Sequence, residues 1–181
     1  MKRSFLLVLL FVVSIAHAFA QGKKEEVKKD TAAADTLRPY QKYPKLPAFN
    51  IREMDSVTIF NTFNIPAGKK TMLVFFSLDC KHCQRQMKAL TKGMDSLSDI
   101  QFYMMTPMHS MTDLREFYKK YHLGDYKNIV LVGRDYEFFY STFYGTKVVP
   151  DLALYDEHKK IIKLFEGEAT VTDIYEAAHA H

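Results

Sequence analysis

Residues Thr71 to Ser77 (TMLVFFS) form a continuous apolar run, and three residues later comes the sequence Cys80-Lys81-His82-Cys83. The run is short, rich in β-branched and aromatic residues, and preceded by turn signals at Pro66-Ala67-Gly68. Those features suit a strand buried on both faces. After Cys83 the apolar residues Met87, Leu90, Met94 and Leu97 are spaced 3, 4 and 3 apart, one face of a helix that ends near Asp99. A buried strand therefore runs into an amphipathic helix across the two cysteines. That junction restricts the chain to a layered α/β fold with the sulfurs where the strand meets the helix.

The remainder of the chain fits the same class. Residues 49–51 and 57–60 read as two short strands, a hairpin at the domain's edge. Residues 100–105 read as the next strand. A second helix comes after it, with Leu114, Phe117 and Tyr121 inward and Ser110 or Thr112 as its N-cap. Ile129 to Val132 is a short strand. Tyr136, Phe139, Tyr140 and Phe143 give a further helical face, closed by Gly145 at the C-cap. Residues 151–155 and 160–165 make a β-hairpin turning at Asp156–Lys159, and a last helix spans Val171 to Ala178. Strands alternating with helices and ending in a hairpin and helix predict an α/β sandwich around a central sheet.

Export is predicted by the N-terminus. Lys2-Arg3 precedes an apolar stretch from Phe5 to Ile15, and Ala18-Phe19-Ala20 completes a basic, hydrophobic and small-residue order. That order is the pattern of a cleaved signal peptide over 1–20. The stretch falls short of the roughly 18 residues of a membrane span. An uncleaved signal anchor is the rival reading. No cysteine stands at the cleavage site to take a lipid. The formal charge of +4 drops to +2 without Lys2 and Arg3, too small a balance to imply nucleic acid or anionic membrane as partner. Residues 21–36 are charged and almost without large apolar groups, and Pro39, Pro44 and Pro47 punctuate the stretch after them. We read 21–45 as a flexible linker and 46–181 as one domain.

The chain has two cysteines, both in one four-residue window, so they cannot staple distant segments together. In an oxidising compartment that placement favours redox chemistry over structure. Their spacing lets the sulfurs meet in a disulfide with little backbone movement. Cys80 would lie in the first turn of the helix, where free amides and the helix dipole favour an anion. Lys81 and His82 add positive or potentially positive neighbours. All three effects favour the Cys80 thiolate, making Cys80 the attacking nucleophile and Cys83 the resolving thiol. Stabilising the thiolate stabilises the reduced form, so the disulfide should be more oxidising than that of cytosolic thioredoxin.

Leu46-Pro47-Ala48-Phe49, the Gly68-Lys69-Lys70 turn, the apolar strand, the CKHC motif and Val149-Pro150 together resemble the TlpA/ResA-like branch of thioredoxin-fold thiol–disulfide oxidoreductases. The resemblance spans about three quarters of the chain. It implies a thioredoxin-like fold, a central mixed β-sheet flanked by helices. To this it adds an N-terminal β-hairpin extension and an inserted helix and strand between CxxC and Pro150. It further implies that Pro150 is a cis-proline facing the disulfide and that Val149 offers backbone hydrogen bonds to a substrate strand. The chain departs from the family pattern in several places. Leu78-Asp79 stand where a Trp is usual, and the chain has no Trp. Carboxylates known in the family fall at Val74 and Gln86, so the second step of exchange is either slow or uses another base; Asp79 is a candidate, though its charge would oppose the Cys80 thiolate.

The resulting expectation is an exported enzyme of the periplasm or cell envelope, acting on cysteine-containing exported proteins and served by a membrane redox partner. It needs no cofactor or metal, binds no nucleic acid and acts as a monomer. Its physiological direction, reductant or oxidant and isomerase, stays open. The alternative is a thioredoxin-fold binding module whose CxxC holds a metal or a static disulfide. A zinc site would need His82, His109 or His122 to complete its ligands. Haem attachment fails because Gln84 comes directly after Cys83. His109, His122 and His158 otherwise read as surface residues, and the aromatic residues of 136–144 as core.

Overall fold

The computed structural model describes residues 37–180. The expected signal peptide and most of the expected linker lie outside the described residues.

The apolar run becomes β3 (Lys70–Phe75), and its side chains explain why it had to be apolar throughout. Successive strand residues point to opposite faces. Met72, Val74 and Phe76 accordingly enter one core and Leu73 and Phe75 the other. β4 (Ile100–Thr106) runs parallel to β3 from Lys70↔Ile100 to Phe75↔Met105. On the other side of β3 lies antiparallel β6 (Asp151–Tyr155), in the register Phe75↔Asp151. With β1 (Asn50–Glu53), β2 (Ile59–Asn61), β5 (Ile129–Arg134) and β7 (Ile161–Glu166), they form a seven-stranded mixed sheet of order β2-β1-β5-β4-β3-β6-β7. This is the thioredoxin-like fold the sequence predicts. The β1–β2 hairpin sits at one edge, paired to β5 through β1. The β6–β7 hairpin forms the other edge.

Helices cover both faces. α2 (Lys81–Gly93) buries Cys83, Gln86, Met87 and Leu90. The predicted stripe continues through Met94 and Leu97, but as a separate 3₁₀ turn, so the α-helix stops at Gly93 rather than near Asp99. Gly93 is needed for close packing: a Cβ there would come within 2.6 Å of a Val171 methyl on α5 (Val171–His179). α3 (Met111–Lys120) takes Ser110, not Thr112, as its N-cap, with Ser110 Oγ accepting the Asp113 N–H. α2, α3 and α5 share the core of Met72, Val74 and Phe76.

The opposite face departs further from expectation. α4 spans Phe139–Tyr144, so Tyr136 precedes it and stacks under the Arg52 guanidinium instead, 4.9 Å from ring centre. The fully buried residues of α4 are Tyr140 and Tyr144, with Phe139 and Phe143 only partly covered. Asp135 starts the helix by accepting the N–H groups of Phe139 and Tyr140. Gly145 closes it at φ 64°, as its position predicts. Between α2 and Pro150 the chain thus completes β4–α3 and β5–α4.

The compact unit opens at Arg38. Residues 39–42 form α1 (Pro39–Lys42), and the Tyr40 ring lies 5.8 Å from that of Tyr144. Pro44 accepts the Ile161 N–H and Leu46 donates to Lys159, extending the sheet edge beside β7. Pro44 reads as a linker signal because its partner, Ile161, lies more than a hundred residues away.

Candidate active site

The Phe75↔Asp151 pairing brings the loop after β3 alongside the residues that precede β6. That register sets Cys80 against Val149 and Pro150. The Val149–Pro150 peptide is cis and Pro150 is buried. Cys80 Sγ lies 3.6 Å from the Val149 carbonyl oxygen, which accepts from the thiol. Cys80 stands one residue before the first turn of α2, as its N-cap, and its sulfur accepts the Cys83 N–H at 3.3 Å. A sulfur thus takes the place usually held by a Ser or Asp oxygen at a helix start. Both cysteines are free thiols; Cys80 is half-buried and Cys83 fully buried.

Burial sets the chemistry of Cys83. Loss of solvent pushes its thiol up to about 12, while the Ser77 N–H, 3.5 Å from the sulfur, acts the other way. Among the described residues no carboxylate hydrogen-bonds it. Val74 is core. Gln86 is buried and grips the backbone of Ala169, accepting its N–H at 2.7 Å and donating to its carbonyl at 2.9 Å. Asp79 is exposed, and the Ser77 hydroxyl that donates to it at 2.5 Å holds its carboxyl below the usual range. A carboxylate so stabilised is a weakened base, which counts against Asp79 as the group that deprotonates Cys83.

Lys81 and His82 are both exposed. The His82 ring turns away to Glu168, Nδ1 to Oε1 2.6 Å, and Arg85 donates to the same carboxylate through Nε at 3.1 Å. Glu168, on the loop between β7 and α5, is therefore part of the site's rim, and Gln86 anchors that loop through its neighbour Ala169. Nothing in the local sequence marks Glu168, because its partners lie 83 and 86 residues away.

Sequence reasoning also misses His109. It is not a free surface residue: its side chain is 21% exposed, and it reaches over the turn before Cys80. Nε2 accepts the Leu78 N–H at 3.2 Å and lies 2.9 Å from Ser77 Oγ. His122 and His158 are exposed. Among the described residues no group of three or more His, Cys, Asp and Glu is placed to hold a metal ion, and no helix is long and apolar enough to cross a membrane.

No family model and no curated protein matches the chain. Solved structures do. A secreted disulfide oxidoreductase of Mycobacterium tuberculosis, homologous to Escherichia coli DsbE, superposes with a TM-score of 0.61 at 14% identity, covering 74% of this chain and 96% of that one. StoA from Bacillus subtilis gives 0.56 at 17%, covering 74% and 98%. The exposed lipoprotein thioredoxin of Streptococcus pneumoniae gives 0.56 at 22%, covering 72% and 96%. At such identities the likeness establishes the thioredoxin-like fold.

Proposed function

We propose that the protein is an exported thiol–disulfide oxidoreductase of the TlpA/ResA-like kind, acting in the periplasm or cell envelope. One observation carries the reading: an accessible thiol, Cys80, caps a helix against the Val149–Pro150 carbonyl while a second thiol, Cys83, lies buried three residues on. The pair divides the two steps of exchange. Cys80 as thiolate attacks a client disulfide, forms a mixed disulfide and releases one client thiolate. Cys83 then loses its proton and attacks the Cys80 sulfur, which closes the Cys80–Cys83 disulfide and releases the second client thiolate. The client gains two electrons and the protein loses them; in reverse, the protein donates a disulfide.

Exported cysteine proteins are the clients in this reading, a membrane redox partner resets the pair, and the protein works as a monomer without nucleic acid. The backbone at Val149 is where a client strand would lie. The secreted or surface-exposed proteins that share the fold support this assignment. In the test, Cys83→Ser is exposed to oxidised glutathione and to envelope extract. It should accumulate mixed disulfides at Cys80, and Cys80→Ser should form none. Absence of any adduct on Cys83→Ser would overturn the reading. The reduction potential of the purified domain in glutathione buffers then gives the direction: well below the glutathione couple for a reductant, near the oxidising folding catalysts for a disulfide donor.

A further inference from the structure

Deprotonating Cys83 is the demanding part of the reaction proposed above, and among the described residues no carboxylate hydrogen-bonds its sulfur to assist it. What the buried sulfur does receive is the Ser77 N–H, at 3.5 Å. Its direction depends on how firmly the turn Ser77-Leu78-Asp79 is held.

The turn is pinned from both sides at Leu78. Gln84 Nε2 donates to the Leu78 carbonyl at 2.9 Å. On the other side the Leu78 N–H donates to His109 Nε2 at 3.2 Å, which fixes that nitrogen as an acceptor. Ser77 Oγ stands 2.9 Å from the same nitrogen and 2.5 Å from Asp79 Oδ1, so its one hydrogen is shared between these two acceptors. The His109 loop is itself tied down, since Arg134 Nε donates to the Pro107 carbonyl at 3.0 Å. Leu78 is buried, so without His109 its N–H would have neither this acceptor nor free access to water.

We infer that His109 is a positioning residue for the resolving step: by accepting the Leu78 N–H it holds Ser77 so that its own N–H is aimed at the Cys83 sulfur. The inference rests on the oxidoreductase reading. Two observations fit it. The Ser77 N–H is the largest influence drawing the Cys83 thiol down against its burial. The Asp79 carboxylate, 3.5 Å from Nε2, makes no hydrogen bond to it and so does not compete with the Leu78 N–H for that nitrogen. The arrangement is not a hydrolytic triad, because Asp79 approaches the same ring nitrogen as Ser77 rather than the other one.

Ellman's reagent separates the two steps in the reduced full-length protein. Attack by Cys80 releases the first thionitrobenzoate, and attack by Cys83 on the mixed disulfide releases the second. His109→Leu removes the acceptor, and an unpaired buried N–H typically costs enough to slow the second release about tenfold. The first release should stay within about twofold of wild type, since Cys80 keeps its own contacts. His109→Gln offers an oxygen at similar reach and should restore the second release. A wild-type second phase in His109→Leu would overturn the inference, as would an equal defect in His109→Gln and His109→Leu. If His109→Leu fails to fold, His109→Asn, too short to reach Leu78, takes its place with the same expected and overturning results. A wild-type protein that releases only the first thionitrobenzoate would instead defeat the oxidoreductase reading.

Discussion

Asp151 comes directly after the cis peptide and is fully buried. The Tyr140 hydroxyl reaches its Oδ1 at 3.3 Å, while Oδ2 has no hydrogen-bond partner among the described residues. Burial, opposed only in part by such hydrogen bonds and by Arg38, pushes the carboxyl up to about 6. The folded protein therefore holds this proton more tightly than the unfolded chain, whose carboxyl titrates near 4. Between about pH 4 and 6 stability accordingly falls as pH rises, and at neutral pH the fold carries a penalised buried charge. Asp151→Asn keeps an acceptor for Tyr140 and removes that charge. It should be more stable than wild type by about 1–3 kcal/mol at pH 7.5, with the difference closing below about pH 4. Urea midpoints across this range measure it, and a gap independent of pH would contradict the assignment. The sign for Cys83 is the same at higher pH, because its thiol too is pushed up by burial.

Elements are joined at the site by buried backbone grips and by exposed ion pairs, and the grips contribute more to stability. Gln86 on α2 satisfies both the N–H and the carbonyl of Ala169, in a fully buried setting. Gln86→Leu leaves two buried backbone groups unpaired, which should cost about 2–4 kcal/mol by chemical denaturation and speed hydrogen exchange at the Ala169 amide. Glu168→Gln breaks the exposed pairs with Arg85 and His82 and should leave stability nearly unchanged. The reverse order would show that the loop is held by charge. These grips also mark the limit of what the sequence can reveal. β3, the stripe of α2 and the Gly145 cap are legible, since each is written within a few neighbouring residues. The cysteine pair and Val149-Pro150 are legible as motifs. Glu168, His109 and Gln86 acquire their roles from partners 31 to 86 residues away, and no local pattern encodes those. Tyr136 escapes its expected place for a related reason: its spacing suits a helix, but Asp135 starts α4 by capping residues 139 and 140.

At the scale of the whole molecule, a proline-punctuated segment belongs to the fold because of what it covers. Residues 38–46 lie over one end of the aromatic core formed by Tyr140, Tyr144 and Tyr155. Three kinds of contact hold them there. Arg38 pairs with Glu166 at 2.8 Å, but both side chains are substantially exposed, so this contact contributes little. Two backbone hydrogen bonds, Ile161 N–H to Pro44 and Leu46 N–H to Lys159, prolong the ladder beside β7. Tyr40 packs on Tyr144, and a ring that shields another buried ring removes enough apolar surface from water to outweigh the ion pair. A protein beginning at residue 46 should consequently be less stable than one beginning at residue 37 by about 2–3 kcal/mol. Most of that loss should be reproduced by Tyr40→Ala and little of it by Arg38→Ala. Thermal unfolding of the four proteins decides the matter: equal stability of the two truncations would make the segment a passive tether, and a dominant Arg38 effect would move the stabilisation from packing to charge.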